Sequence, residues 1–160
     1  MSGETTLPEQ PQDGGDFPSA DDYGRSLKGL GINLLVRDVA RSIDFARLVL
    51  GAELVHGDAD FAVLRQGPAN RPQAEWMLHA DGTYHSHPLP GLLSDVQVRG
   101  AGVEIRLYHC DPDRAVAAAT AHGYHVLAPA ADKPHGMREA HILDPDGYCW
   151  VPSLPTPKTA

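Results

Sequence analysis

The chain has 160 residues, of which 42% are apolar, and its 13 Lys and Arg against 21 Asp and Glu give a formal net charge of -8. That length fits one domain or two small modules sharing a core. No run of about 18 apolar residues offers a membrane span, and the acidity argues against a nucleic-acid partner, whose phosphates demand cations.

Residues 1–24 hold Glu4, Glu9, Asp13, Asp16, Asp21 and Asp22 and no Lys or Arg, so most of the net charge sits in this leader. The leader is rich in Pro, Gly and Ser and has no apolar period. Such a segment buries too little surface to offset its chain entropy. Residues 1–26 are therefore expected to lack fixed structure unless a partner subunit orders them. The N-terminus shows no basic start followed by an apolar run, which argues against a secretory signal. The two cysteines, Cys110 and Cys149, are too few for a disulfide framework, and the expected compartment is a reducing cytoplasm.

Residues 30–36 form an apolar run of strand length. Asp38 is a good helix N-cap, Val39, Ile43, Ala46 and Leu50 follow at helical spacing, and Gly51 supplies the stop. Strands are expected at 53–56, 61–65 and 75–79, with a turn at 67–72. Residues 81–100 carry repeated Pro and Gly turn signals and read as a long loop. A strand at 102–109 comes next. Asp111 and Pro112 open a second helix, whose body is 114–122 and whose stop is Gly123. Strands at 126–128, 138–143 and 148–151 follow, the last two joined by the turn Asp144-Pro145-Asp146-Gly147. Residues 154–160 read as a frayed end. Strand, Asp-capped helix, glycine stop and three strands thus occur twice, which is the mark of a duplicated unit.

Three stretches carry a resemblance to a known family: Val36-Arg37-Asp38-Val39-Ala40-Arg41-Ser42-Ile43-Asp44-Phe45 with Leu50-Gly51; Gly102-Val103-Glu104-Ile105; and Lys133-Pro134-His135-Gly136-Met137-Arg138-Glu139 with Asp144-Pro145-Asp146-Gly147-Tyr148. Across residues 29–153 the chain resembles the vicinal oxygen chelate superfamily, which includes glyoxalase I, extradiol dioxygenases, fosfomycin-modifying enzymes and bleomycin-resistance proteins. The resemblance implies an α+β fold. Two βαβββ modules, here 27–98 and 99–153, curl their mixed sheets into a cup with the helices outside.

The resemblance also implies a divalent ion at the base of the cup, held by one ligand from each of four strands. Those positions fall on Gly31, on Leu78 with Met77 and His79 as neighbours, on Glu104 and on Val151. Only Glu104 is a donor as it stands, whereas a catalytic metal takes about three protein ligands. The expectation is therefore no metal cofactor. The alternative is Zn, Ni, Mn or Fe on a displaced set of Glu104, His79 and His141, because a one-residue slip in strand register exchanges the faces.

Alternation places Glu104, Arg106 and Tyr108 in the cup and Val103, Ile105 and Leu107 toward the helices. Glu139 and His141 likewise alternate with Ala140 and Ile142. The ligand-binding candidates are Asn33, Trp76, Glu104, Arg106, Tyr108, His135, Arg138 and His141. Arg106 has the geometry to clamp an anion bidentately, or it pairs with acids across the sheet. Trp76 stacks on a flat ligand or belongs to the core; Trp150 is expected under a helix. His135 would rim the cup. His85 and His87, with His79, offer a second metal grouping against the plainer reading of exposed loop residues. Cys149 faces the cup, but a nucleophilic role needs an adjacent base.

The functional expectation is a homodimeric, metal-independent protein that binds a small organic molecule, with no nucleic-acid or membrane partner. One alternative is a metal-dependent lyase or dioxygenase of the same superfamily. The other is a metal-free isomerase with Glu104, Glu139 or His141 as its base.

Overall fold

Apolar alternation builds two four-stranded sheets of one design. The computed structural model describes residues 17–67, 70–83 and 88–158. The first sheet contains β1 (Asn33–Val36), β2 (Glu53–Gly57), β3 (Phe61–Gln66) and β4 (Ala74–Ala80) in the order β1-β4-β3-β2. The second contains β5 (Glu104–Tyr108), β6 (His125–Asp132), β7 (Met137–Leu143) and β8 (Cys149–Pro155) in the order β5-β8-β7-β6. In each sheet the first strand runs parallel to the last and the other pairs are antiparallel. A parallel pair needs a crossover. Helices α2 (Val39–Leu48) and α4 (Pro112–Ala121) begin those crossovers. The fold is α+β, with two βαβββ-like modules, each carrying a mixed sheet.

The helix caps form as the sequence predicts. Asp38 Oδ1 accepts from the Arg41 amide at 3.0 Å. Asp111 Oδ1 accepts from Asp113 and Arg114 at 2.9 and 3.1 Å. Gly51 and Gly123 end their helices at φ 69° and 74°, a left-handed backbone that glycine adopts without a Cβ penalty.

The chain divides into two compact units. Described residues up to Ile43, with those from Ala52 to Thr83, form the first; Asp44–Gly51 and the described residues from 88 onward form the second. Residues 98–100 belong to the second unit because they pack on its turn. Arg99 N donates to Asp146 O at 3.0 Å, and a Cβ on Gly147 would lie 2.7 Å from Val98 Cα. The end of α2 belongs there too. Phe45 meets Tyr124 edge-on at 5.0 Å, and the Cys110 thiol donates to Leu50 O at 3.4 Å.

Four expectations about element ends are corrected. Residues 17–26 are structured: helix α1 (Ala20–Ser26) is capped by Ser19, whose Oγ accepts from Asp22 N at 3.2 Å. Asp21 and Asp22 suit the positive N-terminal end of the helix, and Arg25 pairs with Asp21 at 3.0 Å. Strand β1 starts at Asn33, so Gly31 lies outside it. The long loop contains a 3-10 turn at Asp81–Thr83 and a short helix α3 (Pro90–Leu93). Strand β8 runs on to Pro155, with Leu154 opposite Arg138 and Pro155 opposite Met137, so those two residues are not frayed.

Pro152 disguises that extension, because proline rarely sits in a central strand. The β7–β8 ladder passes from Glu139–Ser153 to Ile142–Trp150, and the gap accommodates the residue without an N–H. Pro129, in β6, sits on an edge strand.

Candidate functional site

On the second sheet, alternation separates two faces. Ile105, Leu107, Ala140, Ile142 and Trp150 are buried on one. Arg138 shares that side. Its Nε and Nη2 donate to Asp113 of α4, both at 2.7 Å, and its Nη1 donates to Asp132 at 2.9 Å. Arg138, a ligand-binding candidate in the sequence, thus lies on the helix face with both edges of its guanidinium engaged. Val103 also departs from expectation, since it precedes β5 and is exposed.

The opposite face gathers the other charged candidates. Arg106 donates through Nη1 to Glu104 Oε2 at 2.8 Å and through Nη2 to Glu139 Oε2. Glu104 Oε1 lies 3.1 Å from His141 Nε2. His135 Nε2 stands 3.5 Å from Glu139 Oε2, at the exposed rim. Val151 is opposite Arg106 in the β5–β8 ladder and wholly buried, so it forms the apolar floor. Tyr108 follows on the same strand face and is exposed.

The electrostatics follow from these partners. The Arg106 hydrogen bond holds the Glu104 carboxyl below the usual carboxylate range, burial opposing it and His141 assisting. Glu139 is buried, with Arg106 and His135 as partners. Of the two readings for Arg106, pairing across the sheet is the one that the structure displays. When His141 donates to Glu104 from Nε2, its Nδ1 is left as a buried lone pair with no hydrogen-bond partner among the described residues. Cys149 sits beside Glu104 in the ladder. Burial, then the charges of Glu104 and Asp144, push its thiol up, which is unfavourable for a nucleophile.

Below this face, the Asp144–Gly147 turn does more than reverse the chain. Asp144 Oδ1 accepts from Asp146 N at 2.9 Å and Tyr148 N at 3.0 Å, while Oδ2 accepts from Trp150 Nε1 at 3.2 Å. Burial pushes the Asp144 carboxyl up to about 6 despite those three donors. Asp146 lies 3.5 Å from Arg99, and both are almost fully buried. These contacts fix the start of β8.

The first sheet presents a different face. Trp76 and Leu78 are buried on one side, while Glu75, Met77 and His79 are half-buried on the other. Trp76 is therefore a core residue and does not reach the face where a flat ligand would stack. Asn33 Oδ1 lies 2.5 Å from His79 Nδ1. Phe61 meets His79 at 4.7 Å. The segment containing α1 lies over this face: Tyr23 donates to Glu75 at 3.0 Å, and Phe17 stacks on His56 at 4.3 Å.

The ion implied by the resemblance can be tested on donor chemistry. Gly31 is outside β1 and has no side chain; Leu78 and Val151 are buried hydrocarbons. Glu104 is engaged by Arg106 and His141. These residues do not fit such an ion. Among the described residues no group of three or more His, Cys, Asp or Glu is placed to hold a metal. His85 and His87 lie outside the described residues. Among the described residues, no helix is long and apolar enough to cross a membrane.

A duplicated βαβββ unit, with polar and aromatic side chains on the sheet faces turned away from the core, defines a class of α+β fold. The chain belongs to the Glyoxalase/Bleomycin resistance protein/Dioxygenase superfamily, whose family profile matches residues 30–151. The structure is similar to TioX from Micromonospora sp. ML1, at 21% identity and TM-score 0.55, over 83% of this chain and 100% of that one. It is also similar to a glyoxalase/bleomycin resistance protein/dioxygenase from Nocardioides, at 21% identity and TM-score 0.57, over 87% and 94%. A family enzyme from Burkholderia phytofirmans PsJN gives 18% identity and TM-score 0.59, over 77% and 94%. At these identities the likeness is one of fold. No curated protein matches the chain.

Proposed function

We propose that this chain is a metal-independent binding protein for a small organic molecule carrying hydrogen-bond donors or a positive charge. The observation that supports this most is Arg106 held between Glu104 and Glu139. Two carboxylates face one guanidinium, so the cluster favours a donor or a cation over a second anion. The Glu104 side chain is 49% exposed and keeps acceptor capacity toward solvent, while Arg106 and His141 fix its orientation. An ordered acceptor over an apolar floor is the usual make-up of a ligand site.

A second reading rests on the Glu104–His141 pair. Glu104 is the more exposed member, and His141 Nε2 at 3.1 Å holds it in place to serve as a base. It would support metal-free proton transfer in the same site. The open edges β1, β2, β5 and β6 support the homodimer as a proposal, checked by sedimentation.

The test is a thermal-shift screen of small amines, guanidines and polyols, followed by titration of the hits. Hits should bind wild type, and Glu104→Gln should weaken them at least about tenfold, the scale of a lost charge-assisted hydrogen bond. Hits whose affinity stays within about twofold in both Glu104→Gln and Arg106→Ala, a difference below about 0.5 kcal/mol, would overturn the assignment.

A further inference from the structure

Residues 17–27 and the first sheet flank an open cavity lined by residues other than those of the Glu104 cluster. Its volume is ≈ 480 Å³. One wall is Phe17, Pro18, Ala20, Tyr23, Gly24 and Leu27, all from the N-terminal segment. The other is the sheet face with His56, Phe61, Met77 and His79. All these residues belong to the first unit.

The lining is mostly flat rings. Phe17 and His56 stack at 4.3 Å with planes only 13° apart. Tyr23 meets Phe17 at 4.9 Å and Phe61 edge-on at 6.4 Å. Phe61 in turn lies 4.7 Å from His79 and 6.0 Å from His56. Rings at these separations pack on one another in stacked, tilted and edge-on geometry, so the lining offers aromatic surface. Tyr23 is fixed by its bond to Glu75, and Glu75 is held by Arg65 at 3.4 Å. Among the lining residues Asp58 supplies a carboxylate, 3.8 Å from His56 Nε2, and burial, then the hydrogen bond to Glu75, pushes the Tyr23 hydroxyl up. Aromatic faces with one carboxylate attract a cation that also has a flat surface.

The geometry points to a binding site on the first unit, for a planar aromatic cation or neutral ring system, that exists only when the Phe17–Leu27 segment lies over the first sheet. The segment supplies half of the walls, so Phe17 and Tyr23 are specificity-determining residues and not a passive leader. This inference stands on residues of the first unit and does not depend on the Glu104 reading.

The probe is proflavine, a fluorescent three-ring cation, titrated with full-length protein by fluorescence anisotropy. Tetramethylammonium, which has charge but no ring, serves as competitor. Wild type should bind proflavine saturably, Phe17→Ala and His56→Ala should each weaken it at least about tenfold, the scale of one base–aromatic stack, and Phe17→Trp should restore it. Tetramethylammonium should not displace it. Phe17 is a half-buried surface residue, so its removal should not unfold the chain, which circular dichroism checks. Absence of proflavine binding by wild type would overturn the inference. So would equal or tighter binding by Phe17→Ala, which would make the segment a plain cover. Loss of binding in Glu104→Gln with Phe17→Ala unaffected would place the probe on the second sheet, overturning this inference and leaving the proposed function standing.

Discussion

Arg106→Ala is the perturbation whose effect can be worked most fully from the structure. The guanidinium is the bridge between Glu104 and Glu139, and the Glu139 side chain is only 6% exposed. Removing one partner of a buried pair costs about 3–5 kcal/mol, because the other charge stays behind. Two features reduce that here. The Arg106 side chain is 29% exposed, and His135 stands 3.5 Å from Glu139 as a second partner. The expected loss is therefore about 2 kcal/mol. For a chain of this size that corresponds to a fall in Tm of about 4–8 °C. The assay is urea unfolding of four proteins: wild type, Arg106→Ala, Glu139→Gln and the double variant. In the double variant the uncompensated carboxylate is gone, so it should be more stable than Arg106→Ala by about 1 kcal/mol or more. Additive losses in the cycle, or an Arg106→Ala loss under about 0.5 kcal/mol, would refute the bridge as the organiser of the site.

Asp144 makes a prediction about pH. Its folded value of about 6 lies above the ordinary 3.8, so its contribution is fully present below 3.8 and is lost as pH rises through 6. This group should make the chain more stable at pH 4–5 than at pH 7, by about 1–2 kcal/mol; unfolding of wild type and Asp144→Asn across that range checks it, and equal slopes for the two proteins between pH 4 and 6 would contradict it. Gly147→Ala should cost at least about 2 kcal/mol, because φ is 84° and the new methyl would meet Val98 Cα at 2.7 Å. A melting temperature within a degree of wild type would show that the 98–100 segment is not packed on the turn. Arg138→Ala should weaken ligand binding by less than about twofold, since its partners are Asp113 and Asp132 on the helix face. A tenfold effect in the titration would return it to the binding set.

The parts that the sequence disclosed are those governed by local rules. Asp38, Asp111, Gly51 and Gly123 mark helix ends because caps and left-handed stops act within a few residues. The alternation of Glu104 and Arg106 with Ile105 and Leu107 gave the faces of β5 correctly, because one face of a sheet is buried. What stayed hidden depends on distant partners. Helix α1 has no buried residues and an acidic composition, and its anchor is Tyr23 bonded to Glu75, fifty-two positions away. The side of Arg138 is settled by Asp113 on α4, which no periodicity in β7 encodes. Trp76 alternates with Glu75 and Met77 on β4, so the pattern marked two faces without saying which one is core. The resemblance put a ligand position on Gly31, but the strand that should carry it begins two residues later.

The most direct measurement of the central claim is elemental analysis of the untagged protein, paired with thermal unfolding in Zn, Ni, Mn and Fe. The account predicts substoichiometric metal and no rise in Tm with any ion, because Gly31, Leu78 and Val151 donate nothing and Glu104 is held by Arg106. A stoichiometric ion that stabilises the fold, and that Glu104→Gln abolishes, would contradict it and make this chain a metal-dependent member of its family.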